Sequence, residues 1–168
     1  MGTDAAAVMR PVLLDNTVLT NFALVSKADL VMHLWPTTAC TTPAVLAEYD
    51  VGAASRLLPP DAWGNLPIVT LTQEEATFVS GLPARLGAGE RTCLAVAVHR
   101  RGLLASDDMD ARRAARQHNV SVTGTVGILV LCVQQGYLAR DQADVLLSEM
   151  IALGYRSPVV SLDGLVDD

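Results

Sequence analysis

The chain has 168 residues, 51% of them apolar and 18% charged, with a formal net charge of −6. That length suits one domain, taken as residues 1–168, able to bury roughly 70% of its unfolded surface; no apolar run approaches the ~20 residues that cross a bilayer, so a membrane protein is not expected. The acidic balance argues against a protein that coats nucleic acid by bulk charge, but it leaves nucleic-acid chemistry open, because cation-binding carboxylates add to the negative total and the twelve basic residues cluster locally, as in residues 99–102 and 110–117.

Taken in order, RPVLLD (10–15) is a short apolar run closed by Asp15 and predicts a strand, and NTVLTNFALV (16–25) follows with helical spacing through Val18, Leu19 and Phe22. KADLVMHLW (27–35) predicts a second helix stopped by Pro36. TACTT (38–42) is β-prone, and Pro43 suits the first turn of a helix expected to run to about Leu57 and to carry Glu48. The Pro- and Gly-rich stretch 58–67 predicts a loop, IVTL (68–71) a strand, and TQEEATFVSGL (72–82) a helix whose Thr72 and Glu75 have capping-box spacing.

LGAGE (86–90) predicts a Gly-rich turn into a helix with an apolar stripe at Leu94, Ala97 and Val98, ending at Gly102. LLASD (103–107) predicts a strand, residues 108–119 a helix, VSVTG (120–124) a strand, and residues 125–136 and 140–154 two closing helices. Strands alternating with helices predict an α/β fold: a parallel sheet covered on both faces and joined by right-handed crossovers.

In open parallel sheets, ligands bind beyond the carboxyl ends of the strands, where strand order reverses. Asp15 and Asp107 each close a predicted strand, while Glu48 and Glu90 fall in early turns of helices expected at the same edge. Four carboxylates a few ångströms apart repel by on the order of 4 kcal/mol per pair. A divalent cation would remove that penalty, and an all-oxygen donor set without His or Cys favours Mg²⁺ or Mn²⁺ over Zn²⁺. Each acid has a plainer reading: Asp15 as a helix N-cap, Glu90 as a dipole complement, Glu48 as a solvent-facing residue. For Asp108 capping is the first reading, and for Asp107 the second.

At these residues the sequence resembles the PIN domain family. VLLDNTVLTNFALV is similar to the family's opening strand and helix, with Asp15 as its first acid; TTPAVLAE places the second at Glu48, and GAGERTCLAVAV the third at Glu90. LLASDDMDARRAA places the fourth at Asp107, with Asp108 the adjacent candidate, and VTGTVGILVLCVQQGYL resembles a bacterial and archaeal branch. Asn16 and Thr17 depart from the Thr or Ser, then Ser, common after the first acid.

The resemblance implies a three-layer α/β/α fold with a five-stranded parallel sheet of order 3-2-1-4-5. It also implies a metal-dependent endoribonuclease in which Asp15, Glu48, Glu90, Asp107 and Asp108 hold Mg²⁺ or Mn²⁺ and water cleaves RNA. Many small members are toxins with a protein antitoxin as partner, and members often form homodimers, for which Phe22 and Trp35 are the candidate contacts. A PIN-fold module that binds RNA or protein without hydrolysis is the alternative.

A phosphatase using Asp15 as nucleophile would want a second aspartate where Thr17 stands. Thr125 is expected either to donate its hydroxyl to the acid cluster or to cap the next helix. Arg112, Arg113 and Arg116 follow the fourth acid, either as phosphate contacts or as a solvated helix face. His33, His99 and His118 stand alone without a ligand pattern, and scarce aromatics give no sign of base stacking. Cys40, Cys93 and Cys132 fit no metal spacing and are expected as free buried thiols. Together with a start, Met1–Arg10, lacking export and myristoylation signals, they place the expected location in the cytoplasm.

Overall fold

The computed structural model describes residues 9–56 and 58–167. The expected end of the third helix at Leu57, the start of the chain and its last residue lie outside the described residues.

The elements are β1 (Val12–Leu14), α1 (Asn16–Leu24), α2 (Ala28–Leu34), β2 (Ala39–Cys40), α3 (Pro43–Arg56), α4 (Gln73–Ser80), α5 (Ala88–His99), β3 (Leu103–Ala105), α6 (Met109–Gln117), β4 (Ser121–Thr123), α7 (Thr125–Gln134) and α8 (Arg140–Ala152). Among the described residues no helix is long and apolar enough to cross a membrane.

The fold is α/β around a parallel sheet of four strands, in the order β2-β1-β3-β4. Val12 pairs with Ala39 on one side and Leu103 on the other, and Leu103 pairs in turn with Ser121. The expected five-stranded sheet is thus corrected to four. IVTL makes only an isolated parallel bridge, Ile68 to Thr41, through Thr41 N–H to Pro67 O and Val69 N–H to Thr41 O. The preceding Pro67 has no N–H to extend the ladder, and Ile68 is half exposed, so little apolar burial rewards a longer strand there.

The residues of β1, β2 and β3 are nearly all buried, leaving these short strands as a thin spine between helices, while β4 is partly exposed. Helix α5 packs on β1, β3, α3, α4 and α6, while α7 packs on α2, α8 and β4; α1 touches α2, α3, α7 and α8. The stripe Val18, Leu19 and Phe22 turns inward, and Phe22 is fully buried, so it is not available for a dimer contact; Trp35 is half-buried against the core. Thr72 and Glu75 close the expected capping box, and Glu75 then receives both Nε and Nη2 of Arg100, with Nε to Oε1 at 2.7 Å, which clamps α4 to the end of α5. All three cysteines are buried and free.

Candidate active site

All strands run the same way, so Leu14, Cys40, Ala105 and Thr123 end at one edge of the sheet. Strand order reverses between β1 and β3, the place where a crevice opens in such sheets. Asp15 follows β1 directly and is 2% exposed. Its N–H donates to Ala105 O at 2.9 Å, fixing its backbone against β3. Its carboxylate accepts from Asn16 N–H at 2.8 Å and from the buried Ser106 hydroxyl at 2.6 Å.

The same Ser106 oxygen accepts from Asp108 N–H at 3.2 Å, which ties the second acid of the DD pair to the first acid of the site. Asp108 also caps α6, its Oδ1 accepting from Ala111 N–H at 2.8 Å, as its first reading held.

Glu48 reaches the edge from α3 and Glu90 from the first turn of α5. Glu48 Oε1 accepts from Gly89 N–H at 2.9 Å, so it does not simply face solvent. The approach depends on glycine: a Cβ on Gly89 would lie 2.8 Å from Glu48 Oε2 and 3.0 Å from Val45 Cγ2. Thr42 and Thr92, hydroxyls 2.7 Å apart, hold α3 and α5 together one layer deeper. Glu90 curls back over its own helix start and accepts from Gly87 N–H at 2.9 Å.

Electrostatics bind these acids into a set. Burial pushes the Asp15 carboxyl up to about 6 against its two hydrogen bonds, and the charges of Glu48 and Asp108 add to the rise. Burial likewise pushes Glu90 up to about 7, with Asp15, Asp108 and Glu48 adding to it. As their side chains stand, no three Asp, Glu, His or Cys among the described residues are grouped as ligands around a common point.

Asp107 belongs to a different network. Its N–H donates to Thr17 Oγ1 at 3.0 Å, and its carboxylate takes four donors: Thr125 N–H at 2.9 Å, the Thr125 hydroxyl at 2.5 Å, Asn21 Nδ2 at 3.2 Å and the Tyr155 hydroxyl at 3.1 Å. Thr125, first residue of α7, thus gives both its backbone and its hydroxyl to the acid. Gly124 makes room, since a Cβ there would lie 2.5 Å from Asp107 Oδ1. Burial and the neighbouring Asp107 carboxylate push the Tyr155 phenol upward, keeping it a donor.

The two acids of the DD pair therefore part company: Asp108 shares the field of Asp15 and Glu90, while Asp107 ties α1, α7 and the segment after α8 to the end of β3. Ser106, Asn21 and Tyr155 were not anticipated from the sequence. Asn21 alone left a signal, being a polar residue beside the inward stripe of α1; Tyr155 lies 48 positions from its partner and left none.

Asp107 and Asp108 also line a groove of about 1090 Å³, together with Thr17, Arg112, Gly124 and Tyr155. No curated protein matches the chain. A family model for the PIN domain, a nuclease-type fold, matches residues 11–163, and the chain belongs to the PIN domain family.

Proposed function

We propose that the chain is a metal-dependent endoribonuclease in which Asp15, Glu48, Glu90 and Asp108 hold Mg²⁺ or Mn²⁺ and Asp107 positions the edge around them. The observation that carries this reading is that burial first, and then the charges of neighbouring acids, lift Asp15 to about 6 and Glu90 to about 7, with Glu48 and Asp108 adding to both rises. Structural acids are ordinarily placed where their charge is relieved, as Glu75 is by Arg100. Groups held against their own charge are a mark of functional sites.

The donor set fits a hard divalent cation, being carboxylate oxygen throughout with no His or Cys among the four. Glu48 and Glu90 would release the N–H groups of Gly89 and Gly87 to ligate it. Such an ion supplies an activated water and charge stabilisation on the phosphodiester. The chain's own part is to keep Asp15 ionised and oriented through Ser106 and Asn16. Ser106 fixes the spacing of Asp15 and Asp108, and the α3–α5 clasp brings Glu48 to the edge.

The test is cleavage of a labelled single-stranded RNA with Mn²⁺, alongside calorimetric Mn²⁺ titration. Asp15→Asn and Asp108→Asn should each lower kcat/KM by more than about a hundredfold, above the usual effect of losing a supporting contact to a ligand, while circular dichroism stays native. Cleavage that survives EDTA, or survives in both variants, would overturn the reading. Mn²⁺ failing to bind while RNA binds would favour the non-catalytic module.

A further inference from the structure

Three threonine hydroxyls lie beneath the acids without bonding to any of them. Thr41 and Thr42 are each 0% exposed, and Thr92 is half-buried. Valine has nearly the same shape and would bring no polar atom to satisfy, so what sets these residues apart from an apolar core is what their hydroxyls join.

Each joins a stretch of backbone that carries an acid. Thr41 Oγ1 donates to Leu14 O at 2.7 Å, on the residue before Asp15. Thr92 Oγ1 donates to Gly89 O at 2.9 Å, on the residue before Glu90. A hydroxyl has one proton. With that of Thr92 committed to Gly89, the 2.7 Å contact between Thr42 and Thr92 has one polarity, Thr42 donating and Thr92 accepting. Thr42 Oγ1 in turn accepts from Val45 N–H at 3.4 Å, in the first turn of the helix that carries Glu48. The chain from Val45 N–H through Thr42 and Thr92 to Gly89 O therefore runs one way, from the helix of Glu48 to the helix of Glu90. Thr41, next to Thr42, ties the same end to the strand of Asp15.

The other polar link between these helices is of a different kind. When the Glu48 carboxylate turns to a cation, its 2.9 Å bond to Gly89 N–H is given up, whereas the hydroxyl chain contains no acid and stays. The spacing of the two helix starts then rests on the threonines.

We infer that Thr42 and Thr92, anchored by Thr41, are positioning residues that set the size of ion the acid site accepts. The inference rests on the metal reading above and adds selectivity to it. Mg²⁺ demands near-ideal geometry with oxygens at about 2.0–2.1 Å, whereas Ca²⁺ tolerates irregular cages at about 2.3–2.6 Å. A fixed spacing of the backbones that bear the ligands favours the smaller ion. Loosening that spacing costs the smaller ion more, because the larger one adapts to displaced oxygens.

Titration calorimetry of the full chain with Mg²⁺, Mn²⁺ and Ca²⁺, without RNA, reads this selectivity apart from cleavage. The parent should bind Mg²⁺ and Mn²⁺ more tightly than Ca²⁺. Thr92→Val should weaken Mg²⁺ and Mn²⁺ about tenfold, the lower range for losing a contact behind a ligand, and Ca²⁺ less than about threefold. Thr92→Ala, which takes away the hydroxyl with less bulk, should repeat that pattern. Thr92→Ser keeps the hydroxyl and should stay within about twofold of the parent for all three ions. Thr77→Val, the same change at an exposed hydroxyl that donates to Gln73 O within α4, should alter none of them.

Equal losses for Mg²⁺ and Ca²⁺ in Thr92→Val would reduce the link to general stability and overturn the inference. So would a Thr92→Ser variant as weak as Thr92→Val, or a parent that holds Ca²⁺ as tightly as Mg²⁺. The two readings fail apart. If the parent takes up no Mg²⁺ or Mn²⁺ that Asp15→Asn abolishes, the metal reading falls and the size gauge with it. If it does, and Thr92→Val leaves the ratio of Mg²⁺ to Ca²⁺ affinity unmoved, the metal reading stands and the gauge alone falls.

Discussion

The two aspartates that follow the central strands differ in what their charge does for the fold, and substitution should reveal it with opposite signs. Asp15 has a folded pKa of about 6 against an ordinary 3.8, so the fold favours its protonated form. Its contribution to stability is full below about pH 4 and is lost as pH rises through about 6. The loss amounts to about 3 kcal/mol at neutral pH, two pKa units' worth. Glu90 acts in the same direction between its ordinary 4.5 and about 7. In EDTA the protein should therefore lose thermal stability between about pH 4 and pH 7, and Asp15→Asn should leave only the smaller fall due to Glu90 and melt higher than the parent at neutral pH. A variant that melts lower there would show that the Asp15 charge is not under strain. Asp107 differs in its partners, a carboxylate with four donors. Asp107→Ala orphans Asn21, Thr125 and Tyr155 and should destabilise by on the order of 2–4 kcal/mol, with Tyr155→Phe costing about 1 kcal/mol; urea midpoints that do not move would remove Asp107 from its structural role.

Between elements, the tight place is the crossing of α3 and α5. Gly89 is the second residue of α5, where alanine gains less than the roughly 1 kcal/mol it gains in a helix interior, and its Cβ would press on Glu48 and Val45. Gly89→Ala should leave the protein folded within about 1 kcal/mol, because the nearest atom is the movable end of Glu48, and weaken Mn²⁺ binding at least about tenfold by displacing Glu48. Binding at parental strength would detach Glu48 from the site. This scale also shows what the sequence could reveal. Period-3.6 stripes and the capping box at Thr72 located the helices, because those signals are local. The sequence also put the acids near strand ends and early helix turns. It did not show that the strand at Ile68 would shrink to a bridge, which depends on how little of Ile68 is buried. Nor did it show which of Asp107 and Asp108 would face Asp15: one residue of register in a short loop decides that, and the deciding contacts come from Ser106, Asn21 and Tyr155. The inward turn of Phe22 was legible in its spacing with Val18 and Leu19, and a surface role for it ran against that pattern.

Across the whole molecule, distant parts of the chain converge on the edge that carries the acids. One buried cluster of apolar residues runs from Val12 to Leu162. Tyr155, after the last helix, reaches back to Asp107, and Leu162, fully buried, is held by its N–H on Asp144. Trp63, in the long loop before the bridge at Ile68, donates its indole N–H to Leu19 O at 3.1 Å, pinning that loop to α1. With the loop, the first helix and the closing segment joined through the same core, no part should unfold ahead of the rest. Urea unfolding followed by tryptophan fluorescence, which reports Trp63 with its loop and Trp35 at the end of α2, should therefore superimpose on unfolding followed by far-ultraviolet circular dichroism, which reports the helices. The same argument requires Asp107→Ala to shift both curves together, although its contacts lie far from Trp63 in sequence. Curves that separate, in the parent or in that variant, would divide the chain into independent units and break the idea of residues 1–168 as one cooperative domain.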